Sequence, residues 1–487
     1  MNKIKKISVE NILEIFIIIC PILDSLSFIF RNMLNVNFSP ATIIRAVVPV
    51  ILLIYLFFKN DKKFKKDMII IGITYLIYGI IHLYLFQTTI TKSSYSNIIH
   101  EAQYIVNYTF LIINLINFLY IFSKDKKCFE KLSKSILISN MIYIGLIYLS
   151  IFTKTSSNTY IEEKIGYKGW FESGNSLGTI LILSLFIIIL NIKNKKYRKI
   201  VIPFLILDGI FLTILLGTRT GLVGFILVLM IYFIVDLIYG IFKNKEKIKK
   251  KIVIGIATIS IIVLGVMAVG SATIQRRKHL HDIEKNIFDE TKKQEAHITG
   301  DLMDIRNKIV NENLEEGYMN DPQKKSILEL YDIANKLEIK NNDQRSQQLI
   351  YNYLLAKNQK DFRYILFGNG YMANFRELIL EMEIPAFLFN FGIYGFILYF
   401  VPFLLIFIVG LIEGIKNIKK IDKEYIILEI ACGFTFLLSF FAGYTFFNSS
   451  SMIIIVTINT MLVNKIYLLR KGNNKWKRYY LESLVCN

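Results

Sequence analysis

The residues of this sequence that could do chemistry are arginines and carboxylates at the edges of long apolar segments. Arg219 lies in Gly217-Thr-Arg-Thr-Gly between two such segments, and Arg45 lies inside another. Arg345 and Glu381 precede the apolar segment that starts near residue 384, although Arg345 read alone is a surface arginine. An arginine near a bilayer is costly, and its planar guanidinium suits phosphate recognition. A carboxylate at the same boundary could accept a proton from an attacking hydroxyl.

Several of these residues also have an interpretation without chemistry. Arg219 could extend to the lipid headgroups as an interfacial cation, although its cost near a bilayer favours a function. Arg45 could form a structural ion pair with Asp24 of the preceding apolar segment. Glu381 and Glu383 could stabilise the start of the helix that follows them. The residues alone leave the roles of Arg45 and of these carboxylates open.

The histidines do not indicate a metal site. His279 and His281 lie beside Arg276 and Arg277, but no third ligand follows at a spacing that suits zinc. The sequence therefore predicts neither a bound metal ion nor another cofactor.

Membrane-spanning helices must position these residues. The chain has 487 residues, of which 54% are hydrophobic, and its mean hydropathy of +0.45 is too high for an ordinary soluble protein of this size. Its apolar blocks have the length of roughly 18 to 22 residues that a helix needs to cross a bilayer. They lie near residues 10–30, 40–58, 68–86, 104–122, 136–152, 177–192, 200–216, 221–242, 252–270, 384–414, 425–443 and 446–468. The predicted fold class is all-α, a polytopic membrane protein with about 12 transmembrane helices.

Lysine and arginine are concentrated in every second connection. The basic connections are 59–66, 124–134, 193–199, 243–251 and 416–423, together with the tail at 470–478. Because basic loops stay in the cytoplasm, both termini are predicted to be cytoplasmic. Most of the net charge of +20 lies in these loops, where it meets anionic lipid, so it does not indicate nucleic-acid binding.

The longest connection is a polar insertion at residues 271–383, which this topology places on the extracytoplasmic side. It separates an N-terminal transmembrane region at 1–270 from a C-terminal transmembrane region and cytoplasmic tail at 384–487. None of the four cysteines lies in the insertion, so helix packing must hold it together without disulfides. Amphipathic spacing at 301–311 and 326–337 predicts a helical cap without strands.

Four sequence features occur in an order that is informative as a set. They are Gly169-Trp-Phe-Glu-Ser-Gly-Asn-Ser-Leu-Gly before a helix, Gly217-Thr-Arg-Thr-Gly, Leu366-Phe-Gly-Asn-Gly-Tyr, and Glu381-Met-Glu-Ile-Pro-Ala-Phe. With the large insertion that carries Arg345, this order resembles the superfamily of O-antigen ligases and Wzy-type polysaccharide polymerases, which are bacterial membrane glycosyltransferases. The resemblance covers most of the chain and rests on order and topology.

The resemblance implies a GT-C-like helical transferase that takes its glycan from undecaprenyl pyrophosphate without a metal ion. Two catalytic roles follow, and three residues carry them. Arg219 and Arg345 would neutralise the departing pyrophosphate, and Glu381 would remove the proton of the acceptor hydroxyl. The residues expected to bind substrate are Arg45, Glu172, Asn175 and Glu383.

The resemblance also bears on which transfer takes place. Ligases of this superfamily usually have a His–Asn pair eleven residues before the glycine that Gly392 matches, whereas this chain has Glu381-Met382 there. This departure favours polymerisation of lipid-linked repeat units into a surface polysaccharide or capsule. Ligation of a finished glycan to an envelope acceptor is the alternative.

Two other classes of function need to be considered. A flippase would be expected to show repeated halves, and the chain shows none. A sensor would use the insertion as a binding domain without chemistry. The partners expected for an enzyme are the lipid-linked glycan, an acceptor glycan, membrane lipid, a flippase and a chain-length regulator.

The topology can be tested with single cysteines placed in a cysteine-free background. A membrane-impermeant thiol reagent should label positions 286 and 325 from outside intact cells, because the insertion is predicted to be extracytoplasmic. Positions 63, 247 and 471 should react only after the cells are opened. Labelling of position 247 in intact cells would contradict the topology.

Overall fold

The N-terminal part of the chain forms long apolar helices joined by short connections. The computed structural model describes residues 8–192, 195–243, 265, 270–290, 300–339 and 343–472. The first five helices are α1 (Val9–Phe28, continued by a π-helical turn at Ile29–Met33), α2 (Pro40–Lys59), α3 (Lys62–Gln87), α4 (Ile98–Phe122) and α5 (Cys128–Phe152). After them come strands β1 (Ser157–Tyr160) and β2 (Ile165–Gly169), then α6 (Gly174–Asn191), α7 (Lys195–Ile210, continued by a π-helical turn at Phe211–Leu215) and α8 (Arg219–Lys243). Ser39, Asp61 and Asn97 begin α2, α3 and α4 by accepting a backbone hydrogen bond, which ends each polar connection at a defined residue.

The insertion and the C-terminal part are also helical. Their elements are α9 (Ala272–Glu290), α10 (Gly300–Val310), α11 (Asp321–Lys336), α12 (Gln344–Asn358), α13 (Phe362–Phe367), a 3-10 turn (Arg376–Leu378), α14 (Glu383–Phe389), α15 (Gly392–Tyr399), α16 (Val401–Lys416), α17 (Lys423–Phe441) and α18 (Ser449–Gly472). The two predicted amphipathic helices are confirmed as α10 and α11, which bury Leu302, Ile327 and Leu330. The described part of the insertion contains no strand.

The described helices are those of a polytopic membrane protein. Nine of them are long and apolar enough to span a bilayer, and α15 with α16, bent by 52°, adds a tenth if the pair is one span. The predicted block at 200–216 forms the end of α7 and its π-helical turn. The predicted block at 252–270 lies almost wholly outside the described residues. The expected number of about 12 spans therefore stays a prediction, and the all-α class has one small exception, the antiparallel hairpin β1–β2.

The connections between the described spanning helices lie at two opposite ends of the helix bundle, and successive connections alternate between these ends. At one end, the amides of Lys92 and Tyr95 donate to the insertion, at 3.2 Å to the Gly317 carbonyl and 3.0 Å to the Ala373 carbonyl. At the other end, Lys465 lies 2.7 Å from Asp422. We call the first end the insertion face. The connection at residues 88–97, which is poor in basic residues, thus meets the insertion, as the charge alternation predicts, while the side of the membrane on which this face lies stays a prediction.

A buried histidine–glutamate contact ties the insertion to the spanning helices. His82 of α3 and Glu101 of α4 are both 0% exposed, and the His82 Nε2 lies 2.8 Å from the Glu101 Oε1. The His82 Nδ1 lies 2.6 Å from the Phe367 carbonyl, which can only accept, so this nitrogen donates. The other Glu101 oxygen accepts from the Tyr371 amide at 2.8 Å. Both ends of the turn at 367–371 are therefore fixed to α3 and α4.

The glycines of this turn allow two backbone segments to touch. Gly368 and Gly392 have φ angles of 84° and 70°, and a Cβ on Gly368 would lie 2.1 Å from the Asn390 carbonyl oxygen. The amides of Asn369 and Gly370 donate to the Phe389 and Asn390 carbonyls at 2.9 and 2.7 Å. Because these amides already have acceptors, the turn packs against the chain between α14 and α15 and does not form an anion-binding cradle.

The buried pair predicts a large loss of stability when one partner is removed. Glu101→Ala leaves the His82 Nε2 without its partner and the Tyr371 amide without its acceptor, so we expect the free energy of unfolding to fall by about 3–5 kcal/mol, with a clearly lower unfolding midpoint in detergent. Glu315→Ala is the matched control, because Glu315 pairs with Lys92 on the surface with 70% of its side chain exposed. Equal midpoints for the two variants would contradict the structural role of the buried pair.

Candidate active site

A cavity of about 1240 Å³ opens at the insertion face between the spanning helices and the insertion. We call it the main cavity. Its charged wall residues are Arg45, Arg376, Glu377 and Glu381. Its amide and tyrosine side chains include Gln103, Asn107, Asn114, Gln344, Gln348, Tyr95, Tyr104 and Tyr444. One stripe of α4 supplies Gln103, Asn107 and Asn114, because residues four and seven apart share a helix face. Groups of this kind can hold both an anion and sugar hydroxyls.

Arg345 and Glu381 meet at the edge of the main cavity. The Arg345 Nη2 lies 3.4 Å from the Glu381 Oε2, and both side chains are 38% exposed. The same guanidinium donates to the Phe441 and Ala442 carbonyls at the end of α17. The structure thus brings together two residues that are 36 positions apart in the sequence, and the insertion contributes both.

The backbone of Glu381 is fixed on both its amide and its carbonyl side. Its amide donates to the Gln348 Oε1 at 3.2 Å. Its carbonyl lies against Gly443, where a Cβ would come within 2.5 Å of the carbonyl oxygen and φ is 71°. A side chain at position 443 would therefore displace Glu381.

Glu383 is buried behind the cavity and does not line it. It is 2% exposed, and its carboxylate accepts from the amides of Phe446 and Phe447 at 2.8 and 2.7 Å. Burial raises the pKa of Glu383 to about 7, against the opposing effect of these backbone hydrogen bonds. Glu383 thus positions Phe447, which lines the main cavity. Of the two neighbouring carboxylates, Glu381 alone reaches the cavity.

Arg45 lines the main cavity but already has a carboxylate partner. It is 6% exposed, and its Nη1 lies 2.6 Å from the Asp24 Oδ1. The same nitrogen donates to the Ser449 hydroxyl at 3.0 Å. Asp24 also accepts from Tyr143 at 2.8 Å and from Ser450 at 2.7 Å. The ion pair that the sequence left open as an alternative therefore exists.

Glu172 lies at the mouth of a smaller cavity that adjoins the main one, and Asn175 lies outside both. The Glu172 Oε1 is 3.4 Å from the Arg31 Nη2 and accepts from Asn32 at 3.2 Å. Asn175 is partly exposed in the first turn of α6. Neither cavity has Asn175 in its wall.

Arg219 lies apart from the Arg345–Glu381 pair. It is the first residue of α8, is exposed, and lies in neither cavity wall. Its charge acts on Tyr160 of β1, the ring that Arg276 covers at 3.4 Å. Within the described part of the chain, Arg219 makes no ion pair. The structure thus groups Arg345, Glu381 and Arg45 around one cavity and leaves Arg219 on the hairpin side of the insertion face.

Sequence reasoning missed most polar groups of the main cavity, among them Arg376, Gln348 and Asn448. Arg376 makes no ion pair with any residue that the structure describes, so its charge is available to a ligand. Gln348 and Asn448 also line the cavity. The sequence did contain a signal for Asn448, because the run Asn448-Ser-Ser-Ser directly precedes an apolar helix, which is the position of an N-cap residue. The spacing around Arg376 and Gln348 gave no such signal.

The described residues contain no group of three histidine, cysteine, aspartate or glutamate side chains arranged to hold a metal ion. His279 and His281 are exposed on α9.

Comparison with known proteins identifies one family that matches this chain. The profile of a family described as "O-antigen ligase like membrane protein" matches residues 6–469, which include most of both transmembrane regions, the whole insertion and every candidate site residue. Comparisons with curated proteins and with solved structures find no match. The chain therefore belongs to the O-antigen ligase-like family of membrane proteins, whose members are enzymes that transfer glycans.

Proposed function

We propose that this protein is a metal-independent glycosyltransferase of the bacterial cytoplasmic membrane that polymerises glycan repeat units carried on undecaprenyl pyrophosphate. The observation that carries this proposal is the main cavity, where a half-exposed carboxylate, Glu381, lies beside the arginines of the insertion. The cavity opens at the insertion face, which the charge alternation assigns to the extracytoplasmic side. Ligation of a finished glycan is the second candidate, because both reactions take the same donor.

In the proposed reaction, a hydroxyl oxygen of the acceptor glycan attacks the anomeric carbon of the lipid-linked donor. The new glycosidic bond forms as the bond from that carbon to the pyrophosphate oxygen breaks. Glu381 takes the hydroxyl proton, and lipid pyrophosphate leaves with the bonding electrons. Direct displacement inverts the anomeric carbon.

Positive charge must meet the negative charge that grows on the leaving pyrophosphate. Arg345 and Arg376 are the arginines best placed for this task, because one contacts Glu381 and the other lines the cavity without an ion pair among the described residues. Arg45 contributes less net charge, because Asp24 already neutralises it. Glu383 acts through the backbone of Phe446 and Phe447. Glu172, Asn175 and Arg219 keep their sequence-based roles as proposals.

Glu381→Gln tests the proposed base. The amide keeps the shape of the side chain but cannot take the proton, so polymer formation per protein in the membrane should fall by about 10²–10⁴-fold. Glu316→Gln is the control, because Glu316 is an exposed carboxylate of the insertion. Export of lipid-linked units should stay normal in Glu381→Gln cells. Loss of that export would favour a flippase, and polymer at the wild-type level would exclude Glu381 as the base.

Arg219→Lys and Arg219→Ala separate a phosphate ligand from an interfacial cation. If Arg219 binds phosphate, lysine keeps the charge but loses the bidentate fork, so activity should fall, and alanine should lower it by about 100-fold or more. An interfacial arginine would be replaced by lysine without effect. Transfer from a lipid-linked donor, normalised to membrane protein, is the measurement. Near-wild-type transfer in both variants would remove Arg219 from the reaction.

A further inference from the structure

A small polar cavity opens from the inner wall of the main cavity. We call it the recess; its volume is about 120 Å³. The residues that line both cavities, and so make them continuous, are Thr42, Arg45, Ser173, Ser176, Asn448 and Ser449. An enclosed space of about 150 Å³ holds a benzene ring. The recess is somewhat smaller than that, so a six-membered ring would enter it in part, with the remaining edge of the ring in the main cavity.

The charges of the recess cancel in pairs. Its wall contains two guanidinium groups and two carboxylates. The Arg45 Nη1 lies 2.6 Å from Asp24, and the Arg31 Nη2 lies 3.4 Å from Glu172. A pyrophosphate entering the recess would bring negative charge to a wall without excess positive charge, so each carboxylate would oppose it. The recess is suited to an uncharged ligand.

The wall nevertheless offers hydrogen-bonding groups that the protein leaves unused. Ser176 is 6% exposed, and its hydroxyl has no partner among the described residues. The Asn448 Oδ1 accepts from the amides of Ser450 and Ser451, but its Nδ2 donates to no described residue. The Asp24 carboxylate receives three hydrogen bonds of the roughly four that a carboxylate accepts. The recess thus presents donors and acceptors together, as a hydroxyl-rich ligand requires.

One side of the recess is apolar. Phe171, Leu177 and Ile180 line it, and Phe171 is 4% exposed with its ring centroid 5.3 Å from that of Tyr143. A binding site with an apolar surface and a few fixed polar groups selects a ligand that has both an apolar face and directed polar groups. An apolar lipid chain would leave the Ser176 hydroxyl and the Asn448 Nδ2 without partners, which is costly.

We propose that the recess binds a single uncharged pyranose of the glycan and thereby sets which sugar is accepted. This inference rests on the proposed function, because it assumes that a glycan enters the main cavity. Asp24, Ser176 and Asn448 contact the ring hydroxyls, while Arg45, which lines both cavities, holds Asp24 in place. The pyranose makes contacts here that are independent of the departing pyrophosphate.

Binding can be measured without any transfer reaction. The full-length protein in lipid nanodiscs is mixed with uncharged methyl pyranosides, namely those of glucose, galactose, N-acetylglucosamine and rhamnose, and saturation-transfer NMR reports which of them bind. At least one should bind, and inorganic pyrophosphate should not displace it. Ser176→Ala should weaken its binding by about 2- to 10-fold, the effect of one hydrogen bond. Ser176→Val should weaken it more than about 10-fold, because it also narrows the recess.

Ser184→Ala is the matched control, since Ser184 is a buried serine of the same helix that lies outside both cavity walls. It should bind the pyranoside as the wild type does. Failure of all four pyranosides to bind, displacement by pyrophosphate, or unchanged binding in Ser176→Val would overturn the proposal. Glu381→Gln separates this result from the proposed function: it should lose transfer and keep pyranoside binding. Intact transfer in that variant would count against the proposed base and leave the recess unaffected.

Discussion

The buried contact between His82 and Glu101 joins the insertion to the spanning helices, and the main cavity depends on that junction. Neither side chain has access to water, so each needs the other to satisfy its polar atoms. Glu101 also holds the Tyr371 amide, which extends the same contact into the insertion. From this anchored turn the chain continues along the cavity wall to Arg376 and Glu381. A shift of the turn would therefore move the groups to which we assign the chemistry.

The distribution of charge divides the interior of the insertion face into two environments. In the recess, Arg31 and Arg45 are matched by carboxylates at close range. In the main cavity, Arg376 makes no ion pair with the described residues, and at the edge of this cavity Arg345 shares its guanidinium between Glu381 and two carbonyl groups. A guanidinium group that is neutralised by a buried partner contributes little to anion binding, whereas one facing open space keeps its field. The two environments therefore suit different parts of the proposed substrate, its sugar and its pyrophosphate.

Glu381 and Glu383 show that two carboxylates only two positions apart in the sequence can have different roles. Both carboxylates precede the same helix, yet the backbone amides of Phe446 and Phe447 occupy Glu383. Glu381 keeps 38% of its side chain exposed beside Arg345. A buried carboxylate with its oxygens occupied can orient a loop, while an exposed one can reach a substrate hydroxyl. Glu381 is the proposed general base because it is accessible, and the pattern Glu-Met-Glu does not indicate which of the two carboxylates is accessible.

The class of polytopic membrane proteins could be predicted from the sequence, because a helix that crosses a bilayer must be long and apolar. The lengths of the apolar segments and the charge alternation of their connections are local properties that can be read along the chain. The helices of the insertion were likewise predictable, since Leu302, Ile327 and Leu330 follow a local period. Which residues come together in the candidate site depends on the tertiary structure. Only the fold shows that Arg45 pairs with Asp24 and that Arg345 contacts Glu381. It also shows that Arg376 lines the main cavity, whereas Arg219 does not. These relations join residues of different helices, and the packing of one helix on another depends on side-chain shapes along the whole contact. No local pattern encodes that packing, so the composition of the site became visible only in the fold.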